Sequence, residues 1–309
     1  MRAMDEPGWD VETERGPVTL PNFIVIGAAK AGTTALYWYL SEHPAVFMSP
    51  VKETNYFAYG VDVDGRLLYG DPEHHAFPVK TLAEYQQLFV EAAQAHAIGE
   101  ASPIYLECPQ AAARISERLP AVRLVCALRH PVERAYSDYL MFLRSHGRAF
   151  DPATVLSPDA AWAQPDSHWM RVSAYAESLQ RYLDRFPRTR LHVLLFDDLK
   201  RAPVEAVQSV YRFLDVDPQF VPDLETPHNI GGIPASRALE RFLTSKSLRT
   251  AVQPWIPTRA VNWVRRVRTR NLRSAPPLPP ELKRQLTDHF RDDIIRTSRL
   301  IGRGLEHWL

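Results

Sequence analysis

Residues 22–36 read NFIVIGAAKAGTTAL, in which an apolar segment leads directly into a glycine-bordered loop and a helix start. The letters FIVI are typical of a short strand buried in a parallel sheet. Between Gly27 and Gly32 the residues are mostly small, so backbone N–H groups can approach an anion without Cβ atoms in the way. Thr33 and Thr34 then begin a helix, whose N-terminus favours negative charge. The segment therefore predicts a phosphate-binding loop.

This loop differs from the usual nucleotide triphosphate loop, G-x-x-x-x-G-K-[ST], at one position. The spacing of Gly27 and Gly32 is kept, but Thr33 occupies the lysine position and Lys30 lies inside the loop. A lysine inside the loop meets the terminal group of the ligand from the side, which suits a ligand with a shorter anionic chain than a triphosphate, such as a 5'-phosphosulfate. The alternative is a strand-to-helix turn that requires glycine and contains a surface lysine.

The amino-acid composition limits the remaining function classes. A length of 309 residues allows one or two domains, and a net charge of +1 argues against a nucleic-acid partner. Two cysteines, Cys108 and Cys126, indicate a reducing compartment without a disulfide or zinc framework. No segment has the apolar length of a signal peptide or membrane helix, so we expect a cytoplasmic protein.

Strands and helices are predicted to alternate, which is typical of βαβ units. The predicted fold class is α/β, a doubly wound and mostly parallel sheet flanked by helices. Predicted domains are a flexible N-terminus (1–20), a single α/β domain (21–240), and a C-terminal extension (241–309) with a basic helical segment, a Pro-rich linker and a final helix. The predicted strands are 23–26, 97–101, 124–128 and 192–196. The predicted helices are 33–41, 82–92, 110–119, 131–144, 174–186, 204–213 and 281–308.

A second anion-binding pattern, LRHPVERAYSDY, follows the predicted strand 124–128. Arg129 stands at the end of this strand, and Pro131 suits the first position of a helix. Ser137 then lies in the second helical turn. A guanidinium and a hydroxyl can bind a phosphate dianion together. The alternative is that Arg129 pairs with a carboxylate or a sheet edge and Ser137 is a solvated helix residue.

The two patterns together resemble the donor-binding segments of sulfotransferases that use 3'-phosphoadenosine 5'-phosphosulfate (PAPS), most similar to the heparan sulfate and bacterial branches. The resemblance extends over residues 21–213 and implies a P-loop-like sulfotransferase fold. It implies PAPS as co-substrate, adenosine 3',5'-bisphosphate as product and no requirement for a metal. The donor-binding residues that it implies are Lys30, Ala31, Gly32, Thr33, Thr34, Arg129 and Ser137.

The resemblance also assigns the catalytic residues. The segment SPVKETNYFAY is similar to one that supplies a glutamate base in the glycan branch, which places the base on Glu53, with Lys30 stabilising the leaving group. The alternative is that Glu53 is a solvated acid beside Lys52. Ala101 occupies a position where the glycan branch has a second lysine, and Lys52 is a candidate substitute. Glu100 could orient Lys30 or the acceptor, or serve as a structural acid.

Three further candidates depend on less specific patterns. Arg237, in HNIGGIPASR, lies where the family has a late loop over the nucleotide and is a candidate for contact with the 3'-phosphate. Tyr175 could stack on the adenine, although an aromatic at helical spacing more often belongs to a core. The pair Asp197 and Asp198 resembles the acidic end of a nucleotide-hydrolysing strand, and we interpret it as structural.

The segment 259–273 combines six arginines with apolar residues and contains no acid. This pattern predicts a basic amphipathic helix that contacts an anionic membrane or an acidic acceptor. The alternative is a solvated charged face packed on its apolar side.

These patterns favour a cytoplasmic sulfotransferase that modifies a hydroxyl of a glycan, a lipid or a small natural product. One alternative is a nucleotide kinase or hydrolase that uses Mg-ATP. The other is a non-catalytic nucleotide- or membrane-binding module.

Overall fold

A computed structural model describes residues 9–13, 16–60, 76–92, 94–224, 233–236 and 271–309. The chain divides into two compact units. The first contains Met1–His130, Ala174–His228 and Arg291–Leu309, and the second contains Pro131–Ser173 and Asn229–Phe290.

The first unit is built on a five-stranded parallel sheet with the strand order β4 (Val46–Met48), β5 (Ala97–Ala101), β3 (Phe23–Gly27), β6 (Arg123–Leu128) and β7 (Leu191–Leu195). The strand that precedes the glycine-bordered loop, β3, lies in the centre, and strands later in the chain flank it on both sides. In such doubly wound sheets ligands bind at the carboxyl ends of the strands, where the strand order reverses.

Helices connect these strands, as parallel pairing requires. In the first unit the helices are α1 (Thr33–Ser41), α2 (Leu82–Gln87), α3 (Ile104–Glu107), α4 (Ala111–Arg118), α8 (Ala176–Leu183), α9 (Phe196–Arg201) and α10 (Pro203–Phe213). Short 3-10 turns cover Tyr56–Ala58, Val90–Ala92, Arg188–Arg190 and Glu306–Trp308. Every residue of β3 and β5 is buried. This burial explains the continuous apolar run in β3, since strands of a parallel sheet are covered on both faces.

The described residues of the second unit form three complete helices, part of the final helix, and a short antiparallel strand pair. The helices are α5 (Pro131–Ser145), α6 (Pro152–Val155) and α7 (His168–Arg171), and the strands are β8 (Ile233–Pro234) and β9 (Leu272–Arg273). Within this unit the buried Arg134 donates to Ser173 Oγ at 2.6 Å and to the Trp169 carbonyl at 3.0 Å, which ties α5 to α7. The final helix, α11 (Pro280–Ile301), has residues in both units.

The predicted α/β fold class is confirmed, and several element bounds agree closely with the sequence predictions. The predicted helix 82–92 is divided into α2 and the turn Val90–Ala92, and the predicted strand 192–196 ends one residue earlier because Phe196 begins α9. The strand β4 was not predicted, since three residues give too short a pattern. The final helix was predicted to extend to about 308 but ends at Ile301, because the next residue, Gly302, adopts a left-handed φ of 63°.

The N-terminal segment 1–20 was predicted to be flexible, and its flexibility stays a prediction; its described residues form an antiparallel pair of strands that the sequence analysis did not predict. β1 (Trp9–Thr13) pairs with β2 (Gly16–Leu20), with Trp9 opposite Leu20. A hairpin closes through local backbone hydrogen bonds, so a segment rich in acids and prolines can form one without a long apolar run.

The predicted basic helix 259–273 lies almost entirely outside the described residues. Of this segment the structure describes 271–273, which include β9. In the part of the chain that the structure describes, no helix has the length and apolar character needed to cross a bilayer.

Candidate functional site

The glycine-bordered loop connects the central strand β3 to α1. Gly32 precedes the first residue of α1 and has a φ of 91°, and no acidic residue lies in the first helical turn. Because glycine lacks a side chain that could cap the helix, the first N–H groups of α1 face the loop with no capping bond from this residue. The helix dipole adds positive potential at the same place. This loop therefore fits an anionic group such as a phosphate or phosphosulfate.

Packing, a left-handed residue and a hydrogen bond define the backbone of this loop. A Cβ on Gly32 would lie 3.1 Å from the side chains of Phe196 and Leu199, so the start of α9 packs closely against the loop. Lys30 has a left-handed φ of 67°, a conformation that costs a non-glycine residue roughly 1–2 kcal/mol. The Ala28 N–H donates to the Ala127 carbonyl at 2.7 Å and holds the loop against β6. Backbone strain of the kind seen at Lys30 is characteristic of ligand-binding loops.

Arg129, at the end of β6, lies directly beside this loop. Its Nη1 donates to the Lys30 carbonyl at 3.3 Å, and its Cζ lies 4.8 Å from the centroid of the Phe196 ring. Lys200 Nζ lies 4.5 Å from the same ring centroid. Two cations therefore lie against Phe196 next to the phosphate loop, and they raise the local positive potential although the whole chain has a net charge of only +1.

Ser137 and Arg237 were the other candidates for contact with the 3'-phosphate, and Tyr175 was a candidate for stacking on the adenine. Ser137 lies in the second turn of α5, as expected, and is partly exposed within the second unit. Arg237 lies outside the described residues. The ring of Tyr175 is buried with 1% exposure, and its Oη donates to the Arg129 carbonyl at 2.8 Å. Burial leaves the Tyr175 ring no free face for an adenine, so Tyr175 is a core residue.

Glu53 lies on the segment that follows β4, at the same edge of the sheet. Its N–H donates to the carbonyl of Ala101 at 2.9 Å, and Ala101 pairs with Val25 of β3. The Glu53 side chain is 52% exposed, and its Oε1 lies 2.5 Å from Lys52 Nζ. An exposed carboxylate at the carboxyl edge of the sheet can accept a proton from an incoming hydroxyl. Lys52 supplies a cation at this position, whereas Ala101 is fully buried.

Glu100, at the end of β5, is fully buried and accepts four hydroxyl hydrogen bonds. Ser102 Oγ and Thr54 Oγ1 donate to its Oε2 at 2.7 and 3.0 Å. Tyr105 Oη and Tyr85 Oη donate to its Oε1 at 2.8 and 3.1 Å. We call these five residues the Glu100 cluster. Burial raises the pKa of Glu100, and the four hydroxyl bonds oppose this effect in part.

The Glu100 cluster holds the segment that carries Glu53. Thr54 belongs to the cluster and is the next residue in the chain, the Asn55 N–H donates to Ser102 Oγ at 3.1 Å, and the Phe57 N–H donates to Tyr105 Oη at 3.3 Å. The cluster therefore holds the backbone that directly follows the candidate base. Its role as a support for Glu53 was missed at the sequence level, because its hydroxyl donors come from distant parts of the chain.

Aromatic residues follow Glu53 in the chain, of which Tyr56 and Tyr59 are partly exposed and Phe57 is buried. The Tyr56 ring stacks on Tyr85 with a centroid distance of 4.6 Å. Arg114 Nη1 donates to the carbonyls of Phe57 and Tyr59, at 3.2 and 2.6 Å, and fixes the turn Tyr56–Ala58. Aromatic rings with a nearby carboxylate are suited to a hydroxyl-bearing acceptor with an apolar face.

The acids Asp197 and Asp198 bond to the C-terminal residues of the chain. Trp308 Nε1 donates to Asp197 Oδ2 at 3.1 Å, and Arg303 Nη2 donates to Asp198 Oδ1 at 2.9 Å. The Arg303 guanidinium lowers the pKa of Asp198. These contacts support the structural interpretation of the pair. Among the described residues, no three His, Cys, Asp or Glu side chains are grouped as a metal site would require.

The fold and the site together define an α/β protein with a phosphate loop at the switch point of its sheet. A protein-family model described as "Sulfotransferase family" matches residues 21–220, which include the whole parallel sheet, the phosphate loop and Arg129. The chain belongs to this sulfotransferase family, and the resemblance found in the sequence is confirmed.

Individual relatives agree with this assignment. The chain is 29% identical over 211 residues to human heparan sulfate glucosamine 3-O-sulfotransferase 5, covering 65% of this chain and 55% of the relative. It is 27% identical over 218 residues to human bifunctional heparan sulfate N-deacetylase/N-sulfotransferase 2, covering 64% and 22%. It is 32% identical over 138 residues to membrane-associated sulfotransferase kil1 of Dictyostelium discoideum, covering 45% and 26%. The matched chain thus spans between about a fifth and just over half of these curated relatives.

A solved structure is similar over nearly the whole chain. The sulfotransferase from Alicyclobacillus acidocaldarius has 27% sequence identity and a TM-score of 0.67, covering 94% of this chain and 99% of that chain. The sulfotransferase fold is therefore established for this protein.

Proposed function

We propose that this protein transfers the sulfuryl group of PAPS to a hydroxyl of its acceptor. The observation that carries the proposal is the phosphate loop with Lys30 inside it and Arg129 bonded to the Lys30 carbonyl at 3.3 Å. One continuous region thus provides N–H groups, a lysine and a guanidinium for a donor with phosphates at two positions. Family membership supports sulfuryl transfer, and the resemblance of both segments supports PAPS as the donor.

The donor roles follow from the chemistry of each residue. The N–H groups of the loop and of the α1 N-terminus, with the Thr33 and Thr34 hydroxyls, bind the 5'-phosphosulfate. Arg129 binds the 3'-phosphate, because a guanidinium matches a phosphate dianion with two parallel hydrogen bonds. Contacts of Ser137 and Arg237 with the 3'-phosphate remain predictions from the sequence.

The transfer step is an in-line displacement at sulfur. Glu53 accepts the proton of the acceptor hydroxyl while the acceptor oxygen forms its bond to sulfur. The bond between sulfur and the bridging phosphate oxygen breaks, and Lys30 stabilises the charge that develops on this oxygen. The products are the sulfate ester and adenosine 3',5'-bisphosphate, with the proton on Glu53. Positioning and charge stabilisation account for the catalysis, so no metal is required.

The acceptor is a hydroxyl-bearing molecule with a face that packs on aromatic rings, such as a glycan. The names of two relatives, both heparan sulfate enzymes, support a glycan. The partly exposed rings of Tyr56 and Tyr59 support a sugar ring, a lipid or a small natural product equally. The cytoplasmic location and the membrane contact through 259–273 remain predictions from the sequence.

A direct test combines PAPS with a panel of hydroxyl-bearing acceptors and detects, by mass spectrometry, a product heavier by one sulfuryl group. We expect adenosine 3',5'-bisphosphate in equal amount. Glu53→Gln should abolish most of the product, whereas the exposed control Glu91→Gln should not.

The same assay tests the Mg-ATP alternative. Magnesium-dependent turnover of ATP, with no bisphosphate formed from PAPS, would contradict the proposal. The hydrogen bonds that Asp197 and Asp198 make to Trp308 and Arg303 argue against the alternative, because they engage the acids that a magnesium ion would need. Intact biological activity in both Glu53→Gln and Lys30→Ala would instead favour a non-catalytic module.

A further inference from the structure

The backbone of Arg129 is held by a buried tyrosine. Tyr175 Oη donates to the Arg129 carbonyl at 2.8 Å, and the Tyr175 ring has 1% exposure. Arg129 stands in the connection after β6, where strand hydrogen bonds end at Leu128. A bond to its carbonyl therefore fixes the orientation of a peptide group that the sheet no longer constrains.

Tyr175 is itself fixed by an acid from the far end of the chain. Asp293 of α11 accepts from the Tyr175 N–H at 2.9 Å and from the Ala176 N–H at 3.0 Å. Tyr175 is the residue that precedes α8 and has no side-chain cap of its own. Asp293 thus caps α8 from another helix, since carboxylates stabilise the unpaired N–H groups at a helix start. Thr297 Oγ1 lies 3.4 Å from the same carboxylate.

We propose that Asp293 and Tyr175 are positioning residues that set the affinity of Arg129 for the 3'-phosphate of the donor. The connection runs through contacts in the first unit alone, from Asp293 to Tyr175 to Arg129. It rests on the proposed role of Arg129 and goes beyond it, because it gives the C-terminal helix a part in donor selection.

The physical reason is the loss of pre-organisation. A guanidinium binds a dianion with full strength only when its two N–H groups already face the ligand, and each freely rotating side chain must be ordered on binding. If the Arg129 carbonyl is released, Arg129 samples other orientations. The free energy needed to order Arg129 then weakens the binding of ligands with a 3'-phosphate and leaves the binding of ligands without one unchanged.

The test compares two probes by calorimetry on the full-length protein: adenosine 3',5'-bisphosphate and adenosine 5'-monophosphate. Tyr175→Phe removes one hydroxyl and keeps the buried ring. Asp293→Asn keeps one acceptor oxygen for the helix start. Asp292→Asn, at the exposed neighbour on α11, is the matched control. Thermal unfolding of each variant checks that the fold is intact.

We expect Tyr175→Phe to weaken bisphosphate binding about fivefold, which corresponds to ~1 kcal/mol, the typical net value of one hydrogen bond. Monophosphate binding should change less than twofold. Asp293→Asn should act in the same direction, and Asp292→Asn should have no effect. Weakening of both ligands by the same factor, or of neither, would overturn the inference.

A different result would identify failure of the proposed function itself. If the unaltered protein does not prefer the bisphosphate over the monophosphate, or if Arg129→Ala leaves that preference intact, Arg129 does not bind a 3'-phosphate. Both the donor assignment and the positioning role would then be wrong. If Arg129→Ala abolishes the preference while Tyr175→Phe and Asp293→Asn keep it, only the positioning role is wrong.

Discussion

The buried carboxyl of Glu100 makes the stability of this protein dependent on pH in a direction that can be stated. Burial raises the pKa of Glu100 above its usual value of 4.5. The folded state therefore holds the Glu100 proton more tightly than the unfolded state does. The contribution of Glu100 to stability is fully present below about pH 4.5 and is lost as the pH rises through the raised folded pKa. Glu100→Gln, which stays neutral at every pH, removes this dependence.

The size of the cluster's contribution can be worked out from its hydrogen bonds. Without the carboxylate, Thr54 Oγ1 can still pair with Tyr105 Oη at 3.0 Å and with Ser102 Oγ at 3.4 Å. Tyr85 Oη and one further hydroxyl then lose their acceptor. At about 1–3 kcal/mol for each unsatisfied buried group, Glu100→Ala should cost about 2–6 kcal/mol. Glu100→Gln keeps one acceptor oxygen and should cost clearly less.

Urea unfolding of the unaltered protein, Glu100→Gln and Glu100→Ala between pH 4.5 and 8 measures both effects. We expect the free energy of unfolding of the unaltered protein to fall relative to Glu100→Gln as the pH rises. A difference that stays constant over this range, or that moves in favour of the unaltered protein, would refute the reasoning. It would mean that Glu100 is charged in the folded state and that its hydrogen bonds offset the cost of burying the carboxylate.

Three further outcomes are expected. Glu53→Gln should lower kcat by ~10²–10⁴-fold, because the acceptor hydroxyl loses its base. The Kd for adenosine 3',5'-bisphosphate should change less than about twofold. A proportional loss of nucleotide binding would instead indicate a damaged fold. Gly32→Ala should weaken bisphosphate binding and lower Tm, since its Cβ would lie 3.1 Å from Phe196 at a φ of 91°; unchanged binding by calorimetry would show that the loop tolerates a side chain. Arg303→Ala should cost at most about 1 kcal/mol of unfolding free energy, because the pair with Asp198 is partly exposed, and a loss that persists in high salt would contradict this.

The sequence predicted the parts of the fold that depend on local patterns. The bounds of α1 and of the strand Ala97–Ala101 agree with the structure because apolar runs there end at glycines or polar residues. The pattern failed where elements are short, as at Val46–Met48, or where a hairpin forms through backbone pairing, as at Trp9–Thr13. Val46–Met48 is too short to show a period, whereas the alternation of Trp9 and Val11 with Asp10 and Glu12 is a period-two signal that the sequence analysis did not use.

For the site, sequence reasoning found residues but not their supports. Lys30 and Arg129 were both expected at the carboxyl edge of the sheet, where the structure places them. The direct bond between them was not expected, because it depends on the left-handed conformation of Lys30. The partners of Glu100 and the contact of Asp293 with Tyr175 could not be predicted. They join residues up to 118 positions apart, which only the packed fold brings together.

The most direct test of the central claim is calorimetric titration of the purified protein with adenosine 3',5'-bisphosphate in the absence of magnesium, compared with ATP in its presence. The account predicts saturable heat with the bisphosphate, and loss of that heat in Lys30→Ala and Arg129→Ala. No heat with the bisphosphate, together with binding of Mg-ATP, would contradict it.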